Sequence, residues 1–242
     1  NYLQKNGTDN VNPVWRSGLK LLLPYVKRWD IMAAKRPDKM FAISTAVQGR
    51  IKKYYGRDSE LLYPPADIAR FSNDGTQKRE GFVVFGRQVT HKRIDLAIAA
   101  CNEIGAKLVV IGDGPEHKNL KNMAGPTIEF KGRLADTEIG RVVGAAEGFI
   151  FPNEEDFGIV AVEAQAAGTP VIAYRAGGAL DTVVEGVTGE FFDEQTSASL
   201  AKKLEQFNYK LYNRQAILDN ARKFSNEQFK RHIEDIVAVN TD

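Results

Sequence analysis

In Phe151-Pro152-Asn153-Glu154-Glu155-Asp156-Phe157-Gly158-Ile159-Val160-Ala161-Val162-Glu163-Ala164-Gln165-Ala166-Ala167-Gly168-Thr169-Pro170, a strand end, a polar loop and a helix follow one another directly. The apolar run Gly148-Phe149-Ile150-Phe151 stops at Pro152, which has no N–H with which to extend a ladder. A helix opens near Gly158 and runs through Ile159 to Ala167, and Pro170-Val171-Ile172-Ala173-Tyr174 then begins a second buried strand. Free backbone N–H groups and the positive end of the helix dipole therefore face the crevice at the strand end, an arrangement that favours a bound phosphate.

Outward from this unit the same alternation repeats. Gly81-Phe82-Val83-Val84-Phe85, Lys107-Leu108-Val109-Val110-Ile111 and Thr127-Ile128-Glu129-Phe130 are short apolar runs suited to buried parallel strands. Ile94 to Ile104, Glu116 to Met123 and Asp136 to Ala146 are each long enough to cross back over a sheet. Crossovers between parallel strands are right-handed almost without exception, so the pattern predicts an α/β doubly wound sheet with its ligand site at the C-terminal strand ends.

Before the repeat, Lys39 to Ser44 reads as a strand, and Ser44 or Thr45 as the cap of a helix that runs to Tyr55 and is stopped by Gly56. Pro64-Pro65 stiffens the backbone and removes two donors, which predicts a domain boundary there. Residues 1–63 are expected to be the end of a larger N-terminal domain, 64–80 a linker, 81–224 the Rossmann-like domain, and 225–242 a C-terminal helix packing back toward the N-terminal part. The tail from Ser197 reads as successive helices, the last from Asn226 to Val239.

Of the 242 residues, 43% are hydrophobic and 26% charged, enough for a sizeable core. One cysteine, Cys101, and the absence of paired Cys/His spacing point to a reducing compartment and no structural zinc, hence to a cytoplasmic location. No apolar run reaches the roughly 18 residues of a membrane span. The first residue is Asn1 rather than Met. Charge is uneven: residues 1–70 hold 13 Lys/Arg against 6 Asp/Glu, and the remainder 20 against 25. Val26-Lys27-Arg28-Trp29 and Lys52-Lys53-Tyr54-Tyr55 suit either a solvated helix face or an anionic surface, and no nucleic-acid motif accompanies them. Val14-Trp15, Leu19, Leu21-Leu22-Leu23, Val26 and Trp29, interrupted at Pro24, read either as the apolar side of a surface helix or as a face packed on another domain.

Glu155 lies in the loop and Glu163 in the helix, eight positions on, and each carboxylate can accept hydroxyl hydrogen bonds from a sugar diol. Spacing alone favours two exposed acids beside an ordinary junction, because two acids eight residues apart are common. The stretch resembles the E-x7-E signature of retaining glycosyltransferases of group 1, which have the two-Rossmann GT-B fold, through Glu155, Phe157-Gly158, Glu163-Ala164 and Ala167-Gly168-Thr169-Pro170-Val171-Ile172-Ala173. A second match, Gly86-Arg87-Gln88-Val89-Thr90-His91-Lys92-Arg93-Ile94-Asp95-Leu96-Ala97-Ile98, follows the first strand of the domain and is similar to the G-R-x4-K stretch of that family. Asn153 to Ile159 and Ala164 to Gly168 are most similar to bacterial polysaccharide and O-antigen mannosyltransferases.

The resemblance, over roughly residues 38–237, implies a donor site formed by Gly86, Arg87, Lys92, Leu134, Glu155, Phe157, Gly158, Ile159 and Glu163. In it Arg87 and Lys92 bind the diphosphate, Glu155 the sugar hydroxyls, Glu163 the ribose diol, and the Leu134 backbone the nucleobase, with Arg87, Lys92 and Glu155 carrying catalysis. Gly112-Asp113-Gly114-Pro115-Glu116 reads first as a tight turn into a helix and alternatively as a loop lining the crevice, where the family has G-x-G-P, and Gly177-Gly178 corresponds to a glycine pair near the donor. It further implies transfer with retention from GDP-mannose, or alternatively a UDP- or ADP-sugar, to a glycan or lipid-linked acceptor bound by the N-terminal domain. Peripheral contact with the inner membrane face is compatible with this. No cofactor or metal is implied, and no D-x-D occurs. Two positions depart from the pattern: Asp156 stands where glycine is common and Asp181 where glutamate is. The family's donor-contacting histidine comes from the N-terminal domain, and none of His91, His117 or His232 lies in such a motif.

Other classes fit less well. Gly86 to His91 lacks the G-x-G-x-x-G of a nicotinamide dehydrogenase. No lysine sits in a pyridoxal phosphate motif of a phosphorylase. A binding module without activity by itself stays open as the alternative.

Overall fold

The computed structural model describes residues 13–71, 73 and 75–239. The chain forms two compact units, one comprising residues up to Phe41 with Gln48–Glu60, the other Ala42–Val47 with Leu61 onward.

In the first unit α1 (Pro13–Ala33) opens on a proline, whose missing N–H costs nothing at a helix start, and carries Pro24 in its interior. Past its end the Arg57 guanidinium donates to the carbonyls of Ala34, Pro37 and Asp38, closing acceptors that a chain leaving a helix exposes. Tyr25, Val26, Trp29 and Met32 are exposed on α1. The side chains of Val14, Trp15, Leu19 and Leu21, expected on the same apolar side, lie outside the described residues. The strand expected over Lys39 to Ser44 shortens to β1 (Phe41–Ala42), which joins β2 (Glu60–Leu61) in a two-stranded sheet. Ser44 Oγ accepts the Val47 N–H at 3.1 Å, the cap of α2 (Thr45–Tyr55), and Gly56, at φ 66°, ends it.

The second unit holds a parallel six-stranded sheet. Its elements are β3 (Phe82–Phe85), α3 (Ile94–Ile104), β4 (Leu108–Ile111), α4 (His117–Met123), β5 (Ile128–Gly132), α5 (Asp136–Gly144), β6 (Gly148–Phe151), α6 (Ile159–Ala166), β7 (Val171–Tyr174), α7 (Ala179–Thr182), β8 (Gly189–Phe192), α8 (Ser197–Gln206), α9 (Arg214–Arg222) and α10 (Asn226–Val239). The strand order is β5-β4-β3-β6-β7-β8, every neighbouring pair parallel. Five of these strands match the apolar runs. The sixth, β8, escaped the sequence reading because Gly189-Glu190-Phe191-Phe192 is an edge strand with one polar and only two large apolar residues.

Side-chain alternation along each strand divides the core in two. Phe82, Val84, Leu108, Val110, Ile150, Ile172 and Phe192 pack on Ile94, Ala97, Ile98 and Cys101 of α3 and on Leu200, Ala201 and Leu204 of α8. Val83, Phe85, Ile111, Phe149, Phe151, Val171, Ala173 and Phe191 pack on Val143 of α5, Ala161 and Ala164 of α6 and Ala179 of α7. Each fully buried large side chain contributes about 1.5–3 kcal/mol. Ala66, Phe71, Phe157, Val162, Ala166, Ala221 and Phe224 form a third cluster, which seats the segment after Pro64-Pro65 against α6 and α9.

Candidate functional site

The sheet turns both ways at β3 and β6. From β3 the chain winds outward to β4 and β5, and from β6 to β7 and β8, so the loops leaving β3 and β6 diverge and open a crevice at their C-terminal ends. These are the loops that carry Gly86 to Arg93 and Pro152 to Gly158.

Lys92 closes the 3-10 turn Thr90–Lys92. Its Nζ is bonded to Glu155 Oε1, and both side chains are mostly shielded from solvent, at 22% and 19% exposed. Asn153, itself buried, donates to the same Glu155 oxygen at 2.7 Å. Arg93, between the turn and α3, has φ 51° and is the one non-glycine residue at positive φ among the described residues. Such a conformation costs about 1–3 kcal/mol, and here it lets the turn reverse into a helix through a single residue. It thereby fixes the direction from which Lys92 enters the crevice.

Glu163 lies on α6. Burial pushes its carboxyl up to about 7 and nearby Asp67 adds to this, while the charges of Arg70 and Lys92 work in the opposite direction. Lys92 thus acts on both glutamates. Arg70 is itself paired with Asp67 and Asp136. Arg87 differs from Lys92: it is exposed and its side chain has no hydrogen-bond or ion-pair partner among the described residues. It lines an open cleft with Gly112, Asp113, Gly114, Pro115 and Arg133, while Gly86 borders both this cleft and the cavity around Lys92 and Glu155.

The remaining expected residues fall into different roles. Gly158 precedes α6 at φ 84°, where a Cβ would lie 2.7 Å from the Phe151 ring. Ile159, the first residue of α6, is 38% exposed. The Phe157 ring is buried, 5.9 Å from Tyr63 and 5.5 Å from Phe224 between centroids, and belongs to the third core cluster. Leu134 follows β5 and packs partly buried on the second core cluster. Gly177 and Gly178 press backbone to backbone on the Glu155 loop: the Gly178 N–H donates to Glu155 O at 2.8 Å, and a Cβ on Gly178 would lie 2.2 Å from Phe157 Cα. Asp181 accepts from the Thr45 N–H and hydroxyl and from the Tyr63 hydroxyl, so it caps α2 rather than facing the crevice. Asn153 was missed by sequence reasoning; its only signal was a polar residue directly behind a strand-ending proline.

The model of the family "Glycosyl transferases group 1" matches residues 66–224, which include both crevice loops and all six strands of the sheet. This chain belongs to the glycosyl transferases group 1 family. Among group 1 relatives, it is 38% identical over 143 residues to a GDP-mannose-dependent alpha-mannosyltransferase of Corynebacterium glutamicum, covering 57% of this chain and 34% of that protein. It is 30% identical over 187 residues to the GDP-mannose-dependent alpha-(1-6)-phosphatidylinositol monomannoside mannosyltransferase of Mycobacterium tuberculosis, covering 64% and 49%. The group 1 chain thus spans between about a third and a half of the length of these relatives. Anabaena HepE, crystallised in complex with UDP and glucose, shares the GT-B fold at a TM-score of 0.72 and 22% identity, over 88% of this chain and 66% of that one.

Proposed function

We propose that this glycosyltransferase binds a nucleoside diphosphate-sugar, GDP-mannose before others, in the crevice between the β3 and β6 loops, and that the whole protein transfers the sugar with retention to a glycan or lipid-linked acceptor. The observation that carries this reading is the meeting of Lys92 and Glu155 at the switch point of the sheet, with Arg87, unpaired among the described residues, on the adjoining cleft that shares Gly86. In this reading Arg87 and Lys92 take the diphosphate, Glu155 the sugar hydroxyls and Glu163 the ribose diol, with the main chain at Gly86, Phe157, Gly158, Ile159 and Leu134 completing the donor contacts.

Chemically, the glycosidic C–O bond breaks toward the diphosphate, whose oxygen takes the bonding pair, while the acceptor hydroxyl attacks on the same face, forms the new C–O bond and passes its proton to that departing oxygen. Charge grows on the departing diphosphate, and fixed cations lower the barrier most where charge develops. Arg87, Lys92 and the N–H groups at the start of α6 supply that charge in place of a metal or cofactor. Lys92 changes partner, from Glu155 to phosphate, as Glu155 turns to sugar hydroxyls.

The base is inferred from the GDP-mannose-dependent relatives. A UDP-sugar is the second reading, favoured by the shared fold with a UDP-bound structure. A thermal-shift panel of GDP, UDP and ADP with their sugar conjugates separates them, because a ligand at 100 times its Kd stabilises by about 2.7 kcal/mol. Cytoplasmic action at the inner membrane face fits Lys27 and Arg28 beside the exposed Val26 and Trp29. No described helix is long and apolar enough to cross a membrane.

A further inference from the structure

The exposed Arg87 guanidinium hangs from a main chain that is fixed on both sides. The Gly86 N–H donates to Ile111 O at 3.1 Å, and the Gln88 N–H to Asp113 O at 3.0 Å. Gln88 is wholly buried, a rare position for a long polar side chain, and every hydrogen-bonding group it has except one amide proton is engaged. Its carbonyl accepts the Glu116 N–H at 3.0 Å, its Nε2 donates to Gly112 O at 2.8 Å, and its Oε1 meets His117 Nδ1 at 2.7 Å. Since the amide nitrogen already faces Gly112, the oxygen faces the ring, and His117 Nδ1 is the donor. His117 is held in turn edge-on to the Phe130 ring, at 5.5 Å between centroids.

Two of the loops that line the Arg87 cleft, those after β3 and β4, are thus joined by one side chain. They are also in van der Waals register: a Cβ on Gly114 would lie 2.3 Å from Gln88 O, and one on Gly112 would lie 2.1 Å from Gly86 O. The Gly112 peptide that Gln88 holds leads directly into Asp113, whose carboxylate turns back onto the Gly114 N–H at 2.7 Å and lies 3.9 Å from Arg133. Asp113, the one carboxylate lining the cleft among the described residues, is thereby engaged by its own loop and by Arg133. A buried amide that satisfies both loops is a rigid spacer, and rigid support is what turns a surface arginine into a preorganised anion site.

We propose that Gln88, held by His117, is a positioning residue for donor binding: it sets the distance between Arg87 and the Gly112–Gly114 loop so that a diphosphate is received without movement of these two loops. This rests on the donor reading above. Gln88 touches no donor atom and acts through Arg87.

The test is a double-mutant cycle read by calorimetry, with GDP against guanosine and UDP against uridine as probes. Gln88→Met keeps the length and removes the hydrogen bonds. It is expected to weaken the diphosphate by about tenfold and the matching nucleoside by less than about twofold, and Arg87→Ala/Gln88→Met is expected to be no weaker than Arg87→Ala alone. His117→Phe, which deprives Gln88 Oε1 of its donor, is expected to reproduce the diphosphate-selective loss and carries the test should Gln88→Met not fold. Additive losses, equal loss of nucleoside and diphosphate, or an unchanged diphosphate affinity in both Gln88→Met and His117→Phe overturn the inference while leaving the donor reading in place. An Arg87→Ala protein with undiminished diphosphate affinity overturns the Arg87 assignment itself, and the inference with it.

Discussion

Lys92 and Glu155 stand 63 positions apart and form a direct ion pair, with Asn153 bound to the same Glu155 oxygen. Two opposite charges that are both mostly shielded compensate each other's loss of water, and removal of one leaves the other uncompensated. Lys92→Met is therefore expected to lower stability by about 1–3 kcal/mol, and Glu155→Gln in that background to restore most of it, as measured by urea denaturation. A stability loss that Glu155→Gln does not relieve would show that the pair contributes little and that Lys92 matters through packing.

The two glutamates are expected to separate by ligand. Glu163→Gln weakens free nucleotide and nucleotide-sugar alike, because the ribose is common to both, whereas Glu155→Gln weakens chiefly the sugar conjugate. Each loss is expected near tenfold, the worth of one hydrogen bond to a charged group. Calorimetry with GDP and GDP-mannose on both variants decides it; identical profiles contradict the ribose and sugar assignments.

Glu163 also sets a pH dependence. Its carboxyl is raised from 4.5 to about 7 by burial, so the folded protein holds a proton that the unfolded chain has released between those values. Stability contributed by the protonated form is present below pH 4.5 and lost as pH rises through about 7, a cost on the order of 2 kcal/mol after allowance for partial exposure. Glu163→Gln is expected to raise Tm relative to the unsubstituted chain at pH 8 and to leave it unchanged at pH 4.5. A gain that is the same at both pH values contradicts the buried acid. Nucleotide-sugar affinity runs the other way, rising above pH 7 because the ribose diol donates to the ionised carboxylate, and this rise disappears in Glu163→Gln.

The glycine pair supports the Glu155 loop by close approach rather than by chemistry. Gly178→Ala places a methyl 2.2 Å from Phe157 Cα and 2.3 Å from Phe157 O, both main-chain atoms that cannot rotate away. The expected result is a loss of about 1–3 kcal/mol by thermal denaturation, together with weaker sugar-nucleotide binding as the loop shifts. A fully stable Gly178→Ala protein would mean that the two loops are free to separate.

Much of this architecture is legible in the residues themselves. Phe82 to Phe85 or Gly148 to Phe151 are buried on both faces, so every position is apolar and the strand stands out; β8 carries Glu190 at a sheet edge and does not. The Asn226–Val239 helix was bounded correctly because polar residues and Ser225 punctuate its start. Arg87, Lys92, Glu155 and Glu163 were singled out through motif context, whereas the amides bonded around them, Asn153 and Gln88, were not. Gln88 bonds Gly112 and His117, 24 and 29 positions on, and Asn153 bonds Glu155 two positions on; in both cases a buried amide leaves no periodic mark. Phe157 shows the converse: a motif residue whose ring belongs to the aromatic cluster with Tyr63 and Phe224.

The donor site itself is tested most directly by titrating GDP-mannose into the chain and into its Arg87→Ala/Lys92→Ala variant, with guanosine as the control ligand. The account predicts saturable binding of GDP-mannose to the unsubstituted chain, a loss of about a hundredfold or more in the variant, and guanosine binding that is nearly the same in both. GDP-mannose binding that survives removal of both cations, or guanosine binding lost to the same degree, would contradict a diphosphate site at Arg87 and Lys92.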